Sequence, residues 1–411
     1  MVRVTDMTHG RPIRLILLFS LPLMLGSVFQ QLYTIVDTII IGRGVGMQAL
    51  ASIGAADWIN WLVLWGLQGF TQGFAILAAQ EFGAGAYDRL RRVLAMIVKL
   101  SCWFGIAVTI ISLLLVRPLL TLLHTDPAVF GGAQTYLYVQ FGGSLIIIAY
   151  NMAAAVLRCL GDSRTPLFAI IAASFANIAL DLLFVMGFGW GIFGASFATV
   201  LAQLIAFLLC LRSLRRLPFV QLTKADWKTD PAILLHLCRL GIPTGLQMSM
   251  ITLGGMVLQS VLNGFGVVFV AGYTAANKLY GILESASVAF GYAMTAYMGQ
   301  NLGARNAARI DAGIRAVLVL SAEFTAAIVT AMLVAGKPLL GLFLSTEEAG
   351  AAEALAVAYQ YLMVLMAFLF ALFMLQAYRS SLQGLGEMTV PTLSGFAEML
   401  MRMGAALVLP T

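Results

Sequence analysis

The stretch Gln80–Ala84, QEFGA, recurs 220 residues further along the chain as Gln300–Ala304, QNLGA. Three more pairs of segments match at offsets of 220 to 225 residues and in the same order: Pro22 with Pro243, Arg117–Leu120 with Lys337–Leu340, and Leu160–Pro166 with Leu385–Pro391. Four matches at a nearly constant offset predict that the chain consists of two copies of one structural unit.

The composition is that of a membrane protein. Of the 411 residues, 61% are hydrophobic and only 10% are charged, and the mean hydropathy is +0.94. A soluble domain of this size could not bury that much apolar surface. The 40 glycines also suit membrane helices, which approach one another closely through small residues. We therefore expect an all-α, polytopic membrane protein.

Hydropathy predicts eleven membrane-spanning helices. They fall at about residues 13–41, 50–80, 90–117, 131–160, 166–187, 192–213, 233–263, 270–300, 306–335, 352–384 and 391–411. The first is too long for a signal sequence, so we expect it to remain as a helix. Six helices per copy would give both copies the same orientation. We predict an N-terminal lobe at 1–214, a cytoplasmic linker at 215–231 and a C-terminal lobe at 232–411, with the last (twelfth) helix absent from this chain.

The basic residues predict the orientation. With the N-terminus in the cytoplasm, 19 of the 24 lysines and arginines fall on the inner side, three on the outer side, and Lys278 and Arg402 within spans. This asymmetry satisfies the positive-inside rule. The net charge of +6 is thus explained by topology, and we expect no nucleic-acid partner. We expect a multi-pass protein of the plasma (inner) membrane, in contact with its lipids.

Two carboxylates lie at membrane depth in the first half of the chain. Asp37 falls in the first span and Asp181 in the fifth, and Asn177 lies one helical turn before Asp181. Thr199 adds a hydroxyl at a similar depth in the sixth span. Ionisable groups in hydrocarbon are costly and usually functional, and a set of oxygen ligands suits either Na⁺ or a shared proton. The alternative is a structural hydrogen-bond network among buried polar groups.

Other polar groups within the spans have two interpretations. Gln30, Gln68, Gln72 and Asn151 could line a substrate cavity or form hydrogen bonds between helices. In the C-terminal half, charged side chains either neutralise one another as ion pairs or contribute to substrate or proton binding: Lys278, Glu284, Glu398 and Arg402. Glu398 and Arg402 are spaced as neighbours on one helix face.

Taken together, the duplicated six-helix unit, Val36–Arg43 (VDTIIIGR), Gln80–Ala84 and Leu160–Asp162 (LGD) resemble the multidrug and toxic compound extrusion (MATE) family. The resemblance covers the whole chain apart from the twelfth helix. It implies two lobes in a V around a central cavity, a first helix that bends at Pro22, and a cavity-lining Gln30.

The resemblance also implies that organic cations or other amphipathic compounds are exported in exchange for Na⁺ or H⁺. The N-lobe cation site of the family falls on four residues here: Asp37, Asn177, Asp181 and Thr199. A second family pattern places acids in the seventh and tenth helices. This chain has no membrane-embedded acid there, which favours coupling through the N-lobe.

We therefore predict a cation-coupled antiporter that exports organic cations by alternating access and has no cofactor besides its coupling ion. A lipid-linked saccharide flippase of the same superfamily is the alternative within transport, and a non-transporting scaffold or receptor is the alternative outside it. No nucleotide-binding, metalloprotease or serine-hydrolase motif occurs, so we expect no enzyme activity. We expect a monomer.

Overall fold

The computed structural model describes residues 4–343 and 350–408, and within these ranges the chain is helical and has no strand. The twelve α-helices are α1 Pro12–Gly44, α2 Met47–Gly83, α3 Tyr87–Leu122, α4 Pro127–Gly142, α5 Ser144–Cys159, α6 Arg164–Asp181, α7 Gly191–Arg215, α8 Pro231–Leu262, α9 Val267–Gly303, α10 Ala307–Gly341, α11 Ala351–Gly384 and α12 Thr389–Val408.

Each of the eleven predicted spans corresponds to a helix, except that the fourth is divided. Residues 131–160 were predicted as one span, whereas the structure has α4 and α5, which meet at an angle of 50°. The break lies at the Gly142–Gly143 pair, and adjacent glycines remove the side chains that keep a helix straight. Within the described residues, eight helices are long and apolar enough to cross a membrane, and the bent pair makes a ninth.

The termini of the helices define two ends of the bundle. We call the end that contains residues 4–11, 83–87, 159–164, 215–231, 303–307 and 384–389 the linker end. Between α7 and α8, the chain forms two short 3-10 turns, Pro218–Val220 and Lys224–Trp227. Lys99 of α3 donates hydrogen bonds to the Trp227 carbonyl (2.6 Å) and to the Thr229 hydroxyl (2.8 Å), which fixes this segment against the first half of the chain.

At the linker end, the segments that lead into each half pack against the other half. Met7, Ile16 and Phe19, at the start of the chain, are buried in the hydrophobic cluster built by α9, α10 and α11. Conversely, Ile233 and Leu237 of α8 are buried in the cluster built by α2, α3 and α5. The two halves are therefore interlocked at this end rather than being two self-contained lobes.

Further along the bundle, α2 and α8 cross through glycine. Gly69 and Gly73 of α2 face Gly245 and Gly241 of α8, and a Cβ atom on either α2 glycine would come within 2.5–2.8 Å of the facing glycine Cα. Pairs of small residues four apart allow membrane helices to approach to backbone contact. This contact fixes one seam between the two halves.

Candidate functional site

The four oxygen-bearing residues predicted as a cation site come from α1, α6 and α7. Asn177 and Asp181 are one turn apart on α6, and both are buried, with 1% and 0% of their surface exposed. Asp37 of α1 and Thr199 of α7 are partly buried. The helix pairs α1–α6 and α6–α7 are in direct contact, which brings the four side chains to the same region of the first half.

The backbone changes its helical type at Asp181. The α-helix ends at this residue, and Leu182–Gly187 continue as a π-helix. A π-helical turn contains an extra residue and often occurs at functional sites. Phe184 and Val185 in this turn are buried, so the widened turn is fixed by packing on its inner face.

Most of the polar atoms in this cluster have no hydrogen-bond partner in the protein. The unpartnered buried atoms include Oδ1 of Asp37, both carboxyl oxygens of Asp181, and Oδ1 and Nδ2 of Asn177. The Thr199 hydroxyl donates to the Ala195 carbonyl at 3.2 Å, which leaves its oxygen free to accept or to bind a cation. Buried polar groups are normally satisfied, so these oxygens are available to accept a proton or to bind a small cation.

The two carboxyl groups are neighbours. The charges of Asp37 and Asp181 interact, and the helices α1 and α6 that carry them pack directly against each other. Two neighbouring carboxylates repel each other when both are ionised. Chemically, the pair can hold one proton, or it can bind a hard cation with the help of the Asn177 and Thr199 oxygens.

A small cavity adjoins the cluster. Its volume is about 40 Å³, and it is enclosed by α1, α5, α6 and α7. Its polar lining comes from Gln30, Tyr33, Tyr150, Ser174, Asn177, Thr199 and Gln203. This space is large enough for water or a small ion but much smaller than the roughly 300 Å³ at which drug-sized pockets begin.

Sequence analysis missed several residues around the site. Tyr33 and Gln203 line the cavity, and each lies four residues from a predicted site residue, so helical periodicity could have identified both. Asp57 of α2 is half-buried and lies close enough to Asp37 for their charges to repel. Tyr136 of α4 interacts with both of these acids.

Asn60, one turn beyond Asp57, donates to the Tyr136 hydroxyl at 3.2 Å, while its own Oδ1 is buried and unpartnered. Among the residues that the structure describes, the three carboxylates do not converge on a single metal-binding point. Asp57 therefore acts on the pair through its charge and not as a common ligand.

The four residues predicted to line a substrate cavity have different surroundings in the structure. Gln30 lines the cavity next to Asn177 and Thr199. Asn151 donates to the Ile147 carbonyl of its own helix at 2.9 Å, and Gln68 donates to the Tyr292 hydroxyl of α9 at 2.8 Å. Gln72 has a buried, unpartnered Nε2 atom. Only Gln30 of the four belongs to the lining of this cavity.

Pro22 lies within α1, which remains continuous on both sides of it. Because proline has no N–H group to donate, the helix lacks one internal hydrogen bond at this point. The continuous helix therefore already lacks one hydrogen bond at the position where a hinge would bend.

In the second half, the charged network is centred on Glu398. Its two carboxyl oxygens accept from Arg379 (2.9 Å) and from Arg402 (2.6 Å), and the Nε of Arg379 also donates to Ser394 at 2.7 Å. Arg379 is only 8% exposed and has an acidic partner, although sequence analysis did not include it among the charged residues of this half. Its role in the ion-pair network was thus not anticipated.

Two other residues of the predicted network are not ion-paired. Lys278 and Glu284 form no salt bridge within 4 Å in residues 4–343 and 350–408. They are six residues apart on α9, which at about 100° per residue places them on different faces of the helix. Glu284 instead interacts at longer range with the charges of Arg402 and Glu398.

A helical membrane bundle with two copies of one unit, and with a buried carboxylate pair inside one copy, has the architecture of a secondary transporter. The family model MatE matches the chain twice, over residues 22–183 and 243–408. The two matches begin at Pro22 and Pro243, which are a matching pair in the sequence repeat.

Known proteins agree with this match. The chain is 33% identical over 355 residues to the probable multidrug resistance protein YpnP of Bacillus subtilis, covering 85% of this chain and 78% of that protein. It is 25% identical to the probable multidrug resistance protein NorM of Thermotoga maritima, covering 80% and 72%.

Among solved structures, an outward-facing multidrug resistance MATE transporter of the MOP superfamily superposes with a TM-score of 0.89 at 23% identity, covering 99% of this chain and 90% of that one. A MATE protein in complex with MaL6 gives a TM-score of 0.87 at 23% identity, covering 99% and 97%. The chain belongs to the MATE family, as its sequence motifs predicted.

Proposed function

We propose that this protein is an antiporter that exports organic cations in exchange for Na⁺ or H⁺, with coupling through Asp37 and Asp181. The single observation that carries the proposal is the set of buried oxygens of Asp37, Asn177 and Asp181 without hydrogen-bond partners. Such groups are costly unless a positively charged ligand satisfies them during part of the cycle.

The coupling follows from competition for negative charge. When both carboxylates are ionised, they repel each other and attract a cation. Loading Na⁺ or H⁺ neutralises the pair and removes that attraction, so an organic cation held nearby is released. Binding alone does not drive transport, because the coupling ion must also bind more tightly to one arrangement of the lobes than to the other.

The position of α1 supports a mechanical link between the ion site and the lobes. Its first turns pack against the second half of the chain, through Ile16 and Phe19, while Ile40 and Ile41 pack against the first half beside Val185. Pro22 lies between these two contacts. A bend at Pro22 that responds to loading at Asp37 would therefore move the two halves relative to each other.

We further propose that the linker end faces the cytoplasm in the plasma (inner) membrane, since the basic residues concentrate there. The name of the relative YpnP, a probable multidrug resistance protein, supports drugs as substrates, and we propose that these are amphipathic or cationic because the site is acidic. Asp57 would add a third negative charge that strengthens cation attraction at the pair. We expect the protein to act as a monomer among membrane lipids.

The test is transport by purified protein in proteoliposomes loaded with a fluorescent organic cation. Na⁺ and pH gradients are imposed separately, and release of the cation is followed with each. We expect one of the gradients to accelerate release, and the acceleration to disappear in Asp181→Asn. Release at the same rate with and without both gradients would contradict coupling.

A further inference from the structure

The recurring QEFGA and QNLGA segments form reciprocal hydrogen bonds between the two halves at the linker end. The Nε2 of Gln80 donates to the Gly384 carbonyl at 3.2 Å, and the Nε2 of Gln300 donates to the Cys159 carbonyl at 2.9 Å. Gln80 and Gln300 are 220 residues apart, and Cys159 and Gly384 are 225 apart, which are the offsets of the sequence repeat. Each glutamine therefore binds the last turn of a helix in the opposite half.

The backbones around these glutamines are in direct contact. A Cβ atom on Gly83 would overlap the carbonyl oxygen of Gln300, and a Cβ atom on Gly303 would overlap the carbonyl oxygen of Gln80. The ends of α2 and α9 thus cross at the two glycines of the repeated segments. No side chain other than hydrogen fits at either position while this end is closed.

A third element joins the halves on one side. The N-terminal segment Thr5–Gly10, which we call the strap, lies across this crossing. The Thr5 amide donates to the Gly161 carbonyl of the first half at 3.0 Å. The Met7 amide donates to Oε1 of Gln300 in the second half at 2.9 Å, and the Met7 side chain is fully buried.

Two further side chains of the second half, Asn301 and Arg309, donate hydrogen bonds to carbonyl groups of the strap. Asn301 donates to the Met7 carbonyl at 3.2 Å. Arg309 donates to the Met7 carbonyl at 3.0 Å and to the Gly10 carbonyl at 2.8 Å, and its Nε donates to Oδ1 of Asn301 at 3.0 Å. Gln300 is therefore the shared residue, because it binds Cys159 through its nitrogen and the strap through its oxygen.

The corresponding position in the first half has a different chemistry. Glu81 stands where the second half has Asn301, and it forms an ion pair with Arg89, the counterpart of Arg309, at 3.0 Å. This Arg–Glu pair satisfies itself, so Arg89 is not available to hold a strap in the way that Arg309 does. Both halves thus contribute an equivalent glutamine hydrogen bond, but only the second half has an asparagine and an arginine that bind the strap.

We propose that Gln80, Gln300 and the strap form a latch that closes the linker end, and that transport requires this latch to open once in every cycle. The inference rests on the alternating access of the proposed function. The two glutamine bonds go from side chains to backbone carbonyls at helix ends, so they can be broken without unfolding either half. Losing one of these hydrogen bonds should change the ratio of closed to open forms about fivefold, the change expected for one buried hydrogen bond.

The opening can be measured without transport. Spin labels at Arg164→Cys in the first half and Ala308→Cys in the second, both at exposed positions, report the separation of the halves by double electron–electron resonance. The labels are placed in a background in which the four native cysteines are replaced by alanine. Hydrogen exchange of the Thr5 and Met7 amides in nanodiscs reports the strap.

Three variants separate the parts of the latch. Gln80→Met removes only one glutamine bond and should increase the population with a longer distance about fivefold. Gln300→Met removes a glutamine bond and the acceptor for the Met7 amide. It should therefore increase the population with the longer distance between the labels more than Gln80→Met does, and it should accelerate hydrogen exchange of the strap amides. Gln221→Ala, at an exposed position in the segment between α7 and α8, is the matched control and should match the parent.

Distance distributions for Gln80→Met and Gln300→Met that coincide with that of Gln221→Ala would overturn the proposal. Faster strap exchange in Gln300→Met with an unchanged distance would also overturn it, because the strap would then only cover the helix end. If Gln300→Met does not fold, Gln80→Met decides alone, since it does not contact the strap. Both measurements are made without substrate or gradient, so a failure of cation transport would not affect them.

Discussion

Asp37 on α1 and Asp181 on α6 are neighbouring acids on two helices in direct contact, and Asp181 is the last α-helical residue before a π-helical turn. The extra residue in that turn offers a local adjustment of the backbone next to one member of the pair. Under the proposed coupling, neutralising the pair would act on α1, which contacts both halves of the protein, and on the π-helical turn that follows α6.

Replacing either acid should separate coupling from folding. We expect Asp37→Asn and Asp181→Asn to abolish gradient-driven efflux while the thermal unfolding temperature stays the same or rises, because removing one of two repelling carboxylates does not destabilise the fold. Efflux in proteoliposomes and melting in detergent measure the two effects. Asp311→Asn, at an exposed position on α10, serves as control; normal drug resistance in cells carrying either site variant would contradict the prediction.

Thr199 should distinguish a sodium site from a proton site. A sodium ion needs the hydroxyl oxygen as a ligand, whereas a proton shared by two carboxylates does not. If Na⁺ is the coupling ion, we expect Thr199→Val to reduce Na⁺-driven efflux about tenfold or more; if H⁺ is the coupling ion, we expect H⁺-driven efflux to be unchanged. The comparison is made in the same proteoliposome assay, with Thr330→Val as control, since that hydroxyl is exposed and bonded within its own helix. Loss of H⁺-driven efflux in Thr199→Val would argue for a structural role of Thr199.

Asp57 should tune the site without being indispensable. Removing its charge in Asp57→Asn leaves fewer negative charges near Asp37, so we expect the apparent affinity for the coupling ion to fall on the order of tenfold while coupled efflux persists. Ion titrations of the initial efflux rate provide the measurement. Complete loss of coupling would instead place Asp57 in the ion site itself.

The charged network of the second half should contribute to stability. Glu398→Gln weakens the interactions with Arg379 and Arg402, and it leaves Arg379, whose side chain is 9% exposed, without its acid. We expect a loss of about 2–3 kcal/mol in the free energy of unfolding, at the lower end for a broken buried ion pair because Glu398 is only partly buried. Arg402→Gln should cost less, since its side chain is 41% exposed. Unfolding in denaturant measures the free energy lost in each variant. A larger loss for Arg402→Gln than for Glu398→Gln would contradict the prediction.

The segment between α7 and α8 should detach in acid. Burial raises the pKa of Asp226, but hydrogen bonds from the backbone and side chain of Thr223 and the charges of Arg91 and Arg92 outweigh burial, so its pKa is lowered. An acid with a lowered pKa stabilises the folded form above its ordinary pKa, and this contribution is lost as the pH falls through the lowered value. In the parent protein, limited proteolysis should find this segment protected from cleavage at neutral pH and cleaved in strong acid. In Asp226→Asn, the segment should be cleaved at neutral pH as well. Protection of that variant at neutral pH would show that the charge is unimportant.

Repetition and helical periodicity were sufficient to predict much of the molecule. The offset of the repeated segments predicted the paired halves, and the spacing of Asn177 and Asp181 predicted that both face one side of α6. The same spacing could have predicted Tyr33. Whether Asp57 and Tyr136 approach Asp37 depends on how α2 and α4 pack on α1, which no local pattern encodes. The π-helical turn after Asp181 likewise has no distinct sequence signal, whereas the Gly142–Gly143 pair does mark the bend that was not predicted.

The hydrogen bond between Met7 and Gln300 spans 293 positions of the chain. During synthesis, Met7 must remain without this partner until Gln300 has been made. Long-range contacts of this kind form slowly, and the surfaces that they cover stay exposed meanwhile. The segment around Met7 therefore reaches its native place only after the chain as far as Gln300 has been synthesised.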